Sequence, residues 1–326
     1  MDKIDFVVTW LDSNDPEWIP QYKNYRPEKP ISDRGRFRDW DIFRYWFRAV
    51  EKYAPWVNKV YLVTNGKNPD WINEECSKLV LVKHSDYIPA KYLPTFNSRT
   101  IELHMDKIPE LSEHFVYFND DMYLNALTAP EDFFVEGLPC DCNAETLFIN
   151  PWYDHTNRFG EKIAHFCNMG VINSHFDRRE TVRQAPGKWY GPHLWGKSFV
   201  ANLLQIGLEN FEFFRWRHWE QPLLKSVIQE LWEKEPELMD ESCSRFRKDV
   251  SLNPYIFRYW QFASNRFHPV KMNTGVIFPI RQVKDICEAL LKEKLKSVCI
   301  NDGPYCTDEE VGMIESSLQK VFEKKF

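Results

Sequence analysis

The chain has 326 residues, of which 43% are hydrophobic and 28% are charged. These fractions are typical of an ordinary globular protein and exclude a largely disordered chain. The formal net charge of -6 provides no dominant basic field, which argues against a nucleic-acid partner.

Nothing in the sequence indicates a membrane span or a secretory signal. The chain enters a strand pattern at its first residues, without a basic stretch that leads into a long apolar one. No apolar run approaches the length that crosses a bilayer. The eight cysteines are scattered, and the pair Cys140 and Cys142 has no second pair at zinc-ribbon spacing. We therefore expect reduced thiols and a cytoplasmic protein.

The first strand is predicted from Ile4 to Trp10, and a turn-rich segment with Asp12 and Asp15 follows it. In an α/β fold the loop after the first strand usually meets the ligand. A plain Asp-Pro turn at Asp15 explains the same residues without a ligand, and both interpretations stay open. The residues from Glu17 to Ser32 are polar and broken by prolines, which predicts an excursion loop.

An amphipathic helix and two strands are predicted next. Apolar residues recur at helical spacing from Asp39 to Tyr53, and Arg44 is among the charged residues of that helix. Strands are predicted at 59–64, closed by the turn Asn65-Gly66, and at 79–83. Arginines in and before the helix can reach phosphates, although we expect at least one of them to be solvated.

A second helix is predicted just before the strand that matters most for function. Asn97 or Ser98 caps it, and Glu102 lies near its start, where the helix dipole favours a carboxylate. The succession of strands and helices up to this point predicts an α/β layer sandwich.

The stretch Phe115–Leu124, FVYFNDDMYL, is the most informative part of the sequence. A buried strand runs directly into Asn119, Asp120 and Asp121, which places two carboxylates at the carboxyl edge of a sheet. That edge holds the ligands of open α/β folds, and a divalent metal on a diphosphate is a common partner of paired carboxylates. An Asx turn that closes the strand is the alternative interpretation.

The second half of the chain gives fewer signals. Pro222 is predicted to open a helix, because proline is at home in a first helical turn, and His218 stands just ahead of it. A lone histidine is more often structural than catalytic. In the run from Ser244 to Asp249, Arg247 lies beside a carboxylate, which a surface ion pair also explains.

The last predicted strand, Ser297 to Ile300, meets Asn301-Asp302-Gly303, a second acidic turn at a strand end. A capping box of Thr307 and Glu310 starts a closing helix that runs to the last residue. The sequence contains no glycine-rich phosphate loop, internal repeat or low-complexity linker, which excludes Walker and dinucleotide-binding motifs.

Together these segments resemble the Stealth family of sugar-1-phosphate transferases in four blocks. The first is IDFVVTWLDSNDP, and the second runs from Arg36 to Gly66 and on through LPTFNSRTIELHMDKI to FVYFNDDMYL. The third includes HWEQPLLKS and SRFRKDVS, and the fourth is CINDG. The family includes bacterial capsular polysaccharide phosphotransferases and the animal lysosomal-enzyme N-acetylglucosamine-1-phosphotransferase.

The resemblance implies a fold and a domain organisation. The fold is a GT-A-like nucleotide-sugar fold of the α/β class, a mixed sheet flanked by helices, with a mostly helical insertion. The domain is a single catalytic one over residues 1–326. Its α/β core comprises 1–135 and 290–326, and its acceptor-side, helical portion comprises 136–290.

The resemblance also implies which residues act. The catalytic positions are Asp121, His218, Arg247 and Glu102. The positions that bind the nucleotide sugar are Thr9, Trp10, Asp12, Asp15, Arg44, Asn65 and Gly66. From the acidic strand ends we expect a Mg²⁺ or Mn²⁺ held by Asp120 or Asp302, with Asn301 as a further candidate ligand. Either Asp121 or His218 can take the proton of the acceptor hydroxyl, and both alternatives stay open.

The implied reaction moves a hexose 1-phosphate from a UDP-sugar to a hydroxyl of an acceptor polysaccharide or oligosaccharide and releases UMP. A conventional GT-A glycosyltransferase is the alternative, which breaks the anomeric bond and releases UDP. A non-catalytic glycan-binding module explains the aromatic content of 16% but not the acidic strand ends together with His218 and Arg247. Association with membrane-bound polysaccharide synthesis proteins at the inner membrane face is expected.

Overall fold

The described part of the chain forms three β-sheets with helices packed around them. The computed structural model describes residues 2–12, 15–26, 40–146, 159–216, 218–248, 250–271, 275–301 and 307–322. The strands are β1 Ile4–Thr9, β2 Val60–Thr64, β3 Leu79–Lys83, β4 His114–Asn119, β5 Met122–Leu124, β6 Phe134–Val135, β7 Leu138–Asp141, β8 Gln221–Leu224, β9 His268–Pro269, β10 Val276–Pro279 and β11 Ser297–Asn301. The helices are α1 Trp18–Tyr25, α2 Arg44–Tyr53, α3 His84–Tyr87, α4 Ser98–Glu102, α5 Phe159–His175, α6 Arg178–Gln184, α7 Pro186–Tyr190, α8 Lys197–Leu204, α9 Lys225–Lys234, α10 Pro236–Ser242, α11 Tyr255–Ala263, α12 Val283–Lys292 and α13 Asp308–Val321.

The largest sheet has the strand order β3-β2-β1-β4-β8. The first four of these strands are parallel, and β8 pairs antiparallel with β4 at the edge. Strands β1, β2 and β4 are almost continuously apolar and buried, as expected for parallel strands covered on both faces. The predicted α/β fold, a mixed sheet with flanking helices, is therefore confirmed, and its parallel strands follow the 3-2-1-4 order of nucleotide-binding folds.

A second sheet brings the late strand β11 next to the acidic turn that follows β4. This sheet has the order β10-β11-β5, and β11 runs antiparallel to β5 with Cys299 opposite Met122. The strands of the third sheet, β6-β7-β9, all fall between β5 and β10 in the sequence. None of the described helices combines the length and the apolarity that crossing a membrane requires.

Several local predictions are confirmed. The strands predicted at 59–64, at 79–83 and before Asn301 are present as β2, β3 and β11. The side chain of Asn97 accepts a hydrogen bond from the amide of Arg99 and so caps α4. The capping box of Thr307 and Glu310 starts α13.

Two predictions of secondary structure are wrong, and one predicted helix begins later than expected. Pro222 does not open a helix but lies in β8 opposite Val116, and the helix begins at Lys225. A proline is tolerated there because β8 is an edge strand, where a missing amide donor breaks no ladder. The expected excursion loop contains the helix α1, because Trp18 and Tyr22 bury one helical face against Phe96. The helix predicted from Asp39 begins at Arg44, and Asp39 lies outside the described residues.

Candidate active site

The candidate site lies where the strand order of the largest sheet reverses. From β1 the chain proceeds to β2 and β3 on one side, whereas β4 lies on the other side. Thr9 and Asn119 are register partners at the carboxyl ends of β1 and β4, and Asp120 and Asp121 follow in the turn to β5. Open α/β sheets bind their ligands in the crevice at such a switch point.

Asp121 is at the centre of a cluster that joins three distant parts of the chain. Its Oδ2 atom lies 3.3 Å from Nε2 of His218 and accepts a hydrogen bond from Sγ of Cys299 at 3.3 Å. Nε2 of His218 is also 3.3 Å from Nδ2 of Asn119. The backbone fixes this arrangement, because the amide of Ile300 donates to the carbonyl of Asp121 at 2.8 Å.

The two oxygens of the Asp121 carboxylate have different surroundings. Burial and the neighbouring Asp121 carboxylate raise the pKa of the Cys299 thiol well above its ordinary value, so the thiol stays protonated and donates to Oδ2. The other oxygen, Oδ1, is buried, and no hydrogen-bond donor reaches it from the part of the chain that the structure describes. A buried carboxylate oxygen in this position is ready to accept a ligand hydroxyl or a cation.

Glu102 is tied to β1 and β4 through Tyr117. The Tyr117 hydroxyl donates to Oε1 of Glu102 at 3.0 Å, which leaves Thr9 Oγ1, 3.2 Å away, to donate to the tyrosine oxygen. Burial raises the pKa of Glu102 above its ordinary value, whereas the nearby guanidinium of Arg247 is the largest opposing influence. Glu102 is the last residue of α4, so the prediction that it lies near the start of this helix is wrong. Its carboxyl group is instead buried near the Arg247 guanidinium at the switch point.

Arg247 reaches this place because two segments far apart in the sequence bind each other. The amide of Phe96 donates to the carbonyl of Arg245 at 2.8 Å, and Oγ1 of Thr100 donates to the carbonyl of Ser244 at 2.8 Å. Nη2 of Arg247 then donates to Oγ of Ser98 at 2.6 Å. These bonds hold the SRFRK run against the start of α4, so Arg247 is not a solvated surface cation.

The loops after β1 and β2 form a second part of the site. Asp12 forms an ion pair with Lys67, with 2.8 Å between Oδ2 of Asp12 and Nζ of Lys67. Oδ2 of Asp15 is 3.4 Å from Nδ2 of Asn65, and Oδ1 accepts from the amide of Glu17 at 3.0 Å. The predicted residues of these two loops are thus in contact with each other across the sheet edge.

Two more predicted residues have structural roles in this region. Gly66 adopts a φ of 120°, which favours glycine, in the turn after β2. Trp10 is buried and stacks on Phe43 with 6.1 Å between the ring centroids, so its indole is part of the core.

The remaining predicted residues are Arg44, Asp120, Asn301 and Asp302. Arg44 pairs with Asp41, and its guanidinium lies 6.0 Å from the ring centroid of Trp71. Asp120 is exposed beside Asp121, and the backbone carbonyl of Asn301 accepts from Ile280 at the end of β11. Asp302 lies outside the described residues.

The structure brings together a group of side chains that could bind a metal, and this group differs from the predicted metal ligands. Among the described histidine, cysteine and acidic residues, Asp121, His218 and Cys299 each offer one atom, and these atoms all lie within 4.8 Å of one another. Cys299 was not predicted to contribute. A single cysteine inside an apolar strand carries no signal of its own, and only its pairing across β5 brings it to Asp121.

Comparison with known proteins assigns the chain to a family. The family described as Stealth protein CR2, conserved region 2, matches residues 36–140. A capsular polysaccharide phosphotransferase, WcwK of Streptococcus pneumoniae, is 38% identical over all of this chain and 97% of its own length. A receptor polysaccharide phosphotransferase, WefC of Streptococcus oralis, is 40% identical over 97% of this chain and 95% of its own.

The chain belongs to the Stealth family, and it is a phosphotransferase enzyme. The galactosyltransferase LgtC, solved with donor and acceptor sugar analogs, aligns over 98% of this chain and 97% of its own. Its identity of 8% and TM-score of 0.38 are too low to support a conclusion about this protein.

The raised pKa of Glu102 gives a pH-dependent prediction for Glu102→Gln. The folded protein binds the Glu102 proton more tightly than the unfolded chain, so ionisation with rising pH costs the wild type stability. Glutamine removes this cost and keeps an oxygen for the Tyr117 hydroxyl. The free energy of unfolding of the variant should therefore rise relative to the wild type as the pH increases above the ordinary pKa of a glutamate, measured by urea denaturation. Exposed Glu75, changed to Gln, is the control, and a pH-independent difference at Glu102 would contradict the prediction.

Proposed function

We propose that this protein transfers a hexose 1-phosphate, an N-acetylhexosamine 1-phosphate, from a UDP-sugar to a hydroxyl of an acceptor glycan. The products are a phosphodiester and UMP, and the process belongs to the synthesis of capsular or other cell-surface polysaccharide. The names of the full-length relatives support this proposal. The observation that carries it is the meeting of Asp121, His218, Glu102 and Arg247 at the switch point.

Asp121 and His218 are proposed to act as one base. The attacking hydroxyl must lose a proton as it bonds to the phosphorus that carries the sugar. A proton taken up by the imidazole of His218 leaves a positive charge there, which the Asp121 carboxylate 3.3 Å away stabilises. The hydrogen bond from Cys299 holds the carboxylate in place without competing for the proton, because the thiol stays neutral.

Arg247 is proposed to neutralise charge on the transferred phosphate. A phosphoryl transfer spreads negative charge over the phosphate oxygens, and guanidinium donors aimed at them stabilise the transition state. The bond to Ser98 holds the Arg247 side chain, and its charge is close enough to the buried Glu102 carboxyl group to lower the pKa of that group. The diphosphate and uridine of the donor would extend from there towards the loops that carry Asp12, Asp15, Asn65 and Gly66.

The site fits a divalent cation that binds oxygen ligands. Oδ1 of Asp121 is buried and accepts no bond from the described residues, and the exposed Asp120 carboxylate is adjacent. These oxygens suit Mg²⁺ or Mn²⁺, with Asn301 and Asp302 as further proposed ligands, whereas the sulfur of Cys299 is a soft ligand that these hard cations do not prefer. A bound ion would neutralise the diphosphate of the donor.

The test is to incubate the enzyme with a panel of nucleotide sugars and an acceptor glycan and to identify the nucleotide released. We expect UMP and a phosphorus-containing glycan product, with transfer lost in EDTA and restored by Mg²⁺ or Mn²⁺. Release of UDP with a glycoside product would move the protein to the conventional glycosyltransferases. Full activity after exhaustive chelation would remove the metal from the mechanism.

The expected cytoplasmic location, and the association with membrane-bound polysaccharide synthesis proteins, stay predictions. Fractionation of the native, untagged protein addresses both. Recovery only from detergent extracts would contradict a cytoplasmic enzyme.

A further inference from the structure

A cleft of about 170 Å³ opens between β7 and β8, and we refer to it as the β7–β8 cleft. Its walls include Asp141 of β7, Gln221 of β8, Arg258 of α11 and Lys296, which precedes β11. Its volume is more than ten times the roughly 15 Å³ that one water molecule needs, so it is a space for a ligand and not a packing defect. None of Asp121, His218, Glu102 and Arg247 lines it.

The sheet order separates this cleft from the nucleotide-facing loops. Those loops follow β1 and β2, whereas the cleft is lined by β8, on the opposite side of β4. With strands about 4.8 Å apart, β8 lies roughly 10 Å from β1 and 14 Å from β2. A ligand in the cleft would therefore be a second reactant and not the nucleotide.

The cleft also adjoins the candidate site. Gln221 is the register partner of Tyr117, whose hydroxyl holds Glu102, and paired residues on neighbouring strands share one face with Cβ atoms about 5 Å apart. Trp219 and Glu220, which line the cleft, follow His218 directly in the sequence. Three residues of extended chain span about 10 Å, so a ligand here lies within one or two sugar units of His218.

The charges around the cleft suit a neutral polar ligand. Four carboxylates and three cations line it. Arg258 forms a two-pronged ion pair with Asp141, and Lys296 pairs with Asp132. Because carboxylates outnumber cations in the wall and two of the cations are paired there, no positive field is left to attract a diphosphate, whereas sugar hydroxyls can bond to such groups.

Gln221 places a buried hydrogen-bond acceptor in the wall of the cleft. Its side chain is 7% exposed, and its Oε1 atom is buried without a hydrogen-bond partner among the described residues. Buried amide oxygens in native proteins are almost always bonded, so an acceptor of this kind at a cleft wall implies a donor from a ligand or from water. A sugar hydroxyl is such a donor.

Trp219 gives the cleft an aromatic wall. The chain at Gly275 passes so close to it that an added Cβ would lie 2.9 Å from Cε3 and Cζ3 of the indole. Backbone contact on that side fixes the ring, and the ring also lines the cleft. A fixed aromatic face beside a few convergent polar groups is typical of small-ligand sites.

We propose that the β7–β8 cleft is the acceptor subsite, which binds a neutral sugar residue of the acceptor glycan. The sugar packs against Trp219, and one of its hydroxyls donates to Oε1 of Gln221. This inference rests on the proposed function for the identity of the second reactant. It goes further by naming the residues that recognise the acceptor and by separating them from the donor site.

The test measures glycan binding apart from transfer. The full chain is applied to an array of oligosaccharides from bacterial capsular and exopolysaccharides, and UDP binding is measured by calorimetry. We expect the wild type to retain at least one glycan, and Gln221→Met and Trp219→Ala to weaken that retention about tenfold while UDP binds as before. Gln221→Met should melt no earlier than the wild type, because it removes a buried amide oxygen that has no hydrogen-bond partner among the described residues.

Matched controls are available elsewhere on the chain. Gln184 and Trp195 are both exposed, and Gln184→Met and Trp195→Ala should retain glycan like the wild type. Retention of no glycan by the wild type, or equal retention by a folded Gln221→Met, overturns the inference. Should Gln221→Met melt early, Trp219→Ala decides by the same criterion. Because the nucleotide released is measured independently, failure of the proposed function and failure of the cleft give different results.

Discussion

Replacing Asp121 with asparagine is expected to lower turnover by about two orders of magnitude or more, the usual scale for loss of a general base. Asparagine keeps the volume of the side chain but loses the charge that stabilises a protonated His218. It also loses the carboxylate oxygen that the site offers to a cation. The measurement is the rate of UMP release at saturating metal.

The folded protein should tolerate this change. The amide oxygen of asparagine can still accept the hydrogen bond from Cys299, and one negative charge beside Asp120 is removed. The melting temperature without metal should therefore hold or rise. Asp285→Asn, an exposed change at the start of α12, is the control. A folded Asp121→Asn enzyme with normal turnover would show that Asp121 only closes the strand.

Replacing Arg247 with lysine should lower turnover by about two to three orders of magnitude, the scale measured when one preorganised transition-state donor is lost. Lysine keeps the charge but offers a single compact head group. It cannot hold Ser98 and clamp a phosphate at once, as the forked guanidinium can. Because the loss concerns the transition state, kcat should fall more than the donor KM rises.

Arg245→Lys is the matched control, two residues away in the same loop. Arg245 donates to the carbonyl of Leu93, and its guanidinium lies 4.9 Å from the ring centroid of Tyr25. Its replacement should affect the melting temperature more than the rate. Equal losses of turnover in the two variants would mean that the loop needs both arginines for its fold, and that Arg247 has no separate catalytic part.

The features that could be predicted from the sequence are those with local causes. The buried strand before Asn119, the cap at Asn97 and the capping box at Thr307 each follow from neighbouring residues. The same holds for the position of Asp120 and Asp121, since a strand that ends in carboxylates places them at a sheet edge wherever the strand lies in the sheet.

The features that could not be predicted depend on distant partners. Pro222 is compatible with a helix start and with an edge strand. It lies in a strand because β8 pairs with the edge of β4 that β1 leaves unpaired. Cys299 reaches Asp121 through the pairing of β11 with β5, across 178 residues. No sequence pattern marks Gln221 as a binding residue. Its proposed role depends on a cleft whose walls come from several elements.

The long separation between the two halves of the site also has a consequence for biosynthesis. His218 follows Asp121 by 97 residues, and Arg247 follows Ser98 by 149. At translation rates of about 5–20 residues per second, β4 leaves the ribosome on the order of ten seconds before β8 and the SRFRK run. In that interval the apolar strand Phe115–Phe118 is an uncovered sheet edge, open to pairing with other chains. The strand that leads to the candidate reaction centre is thus also exposed to aggregation in the nascent chain until β8 covers it.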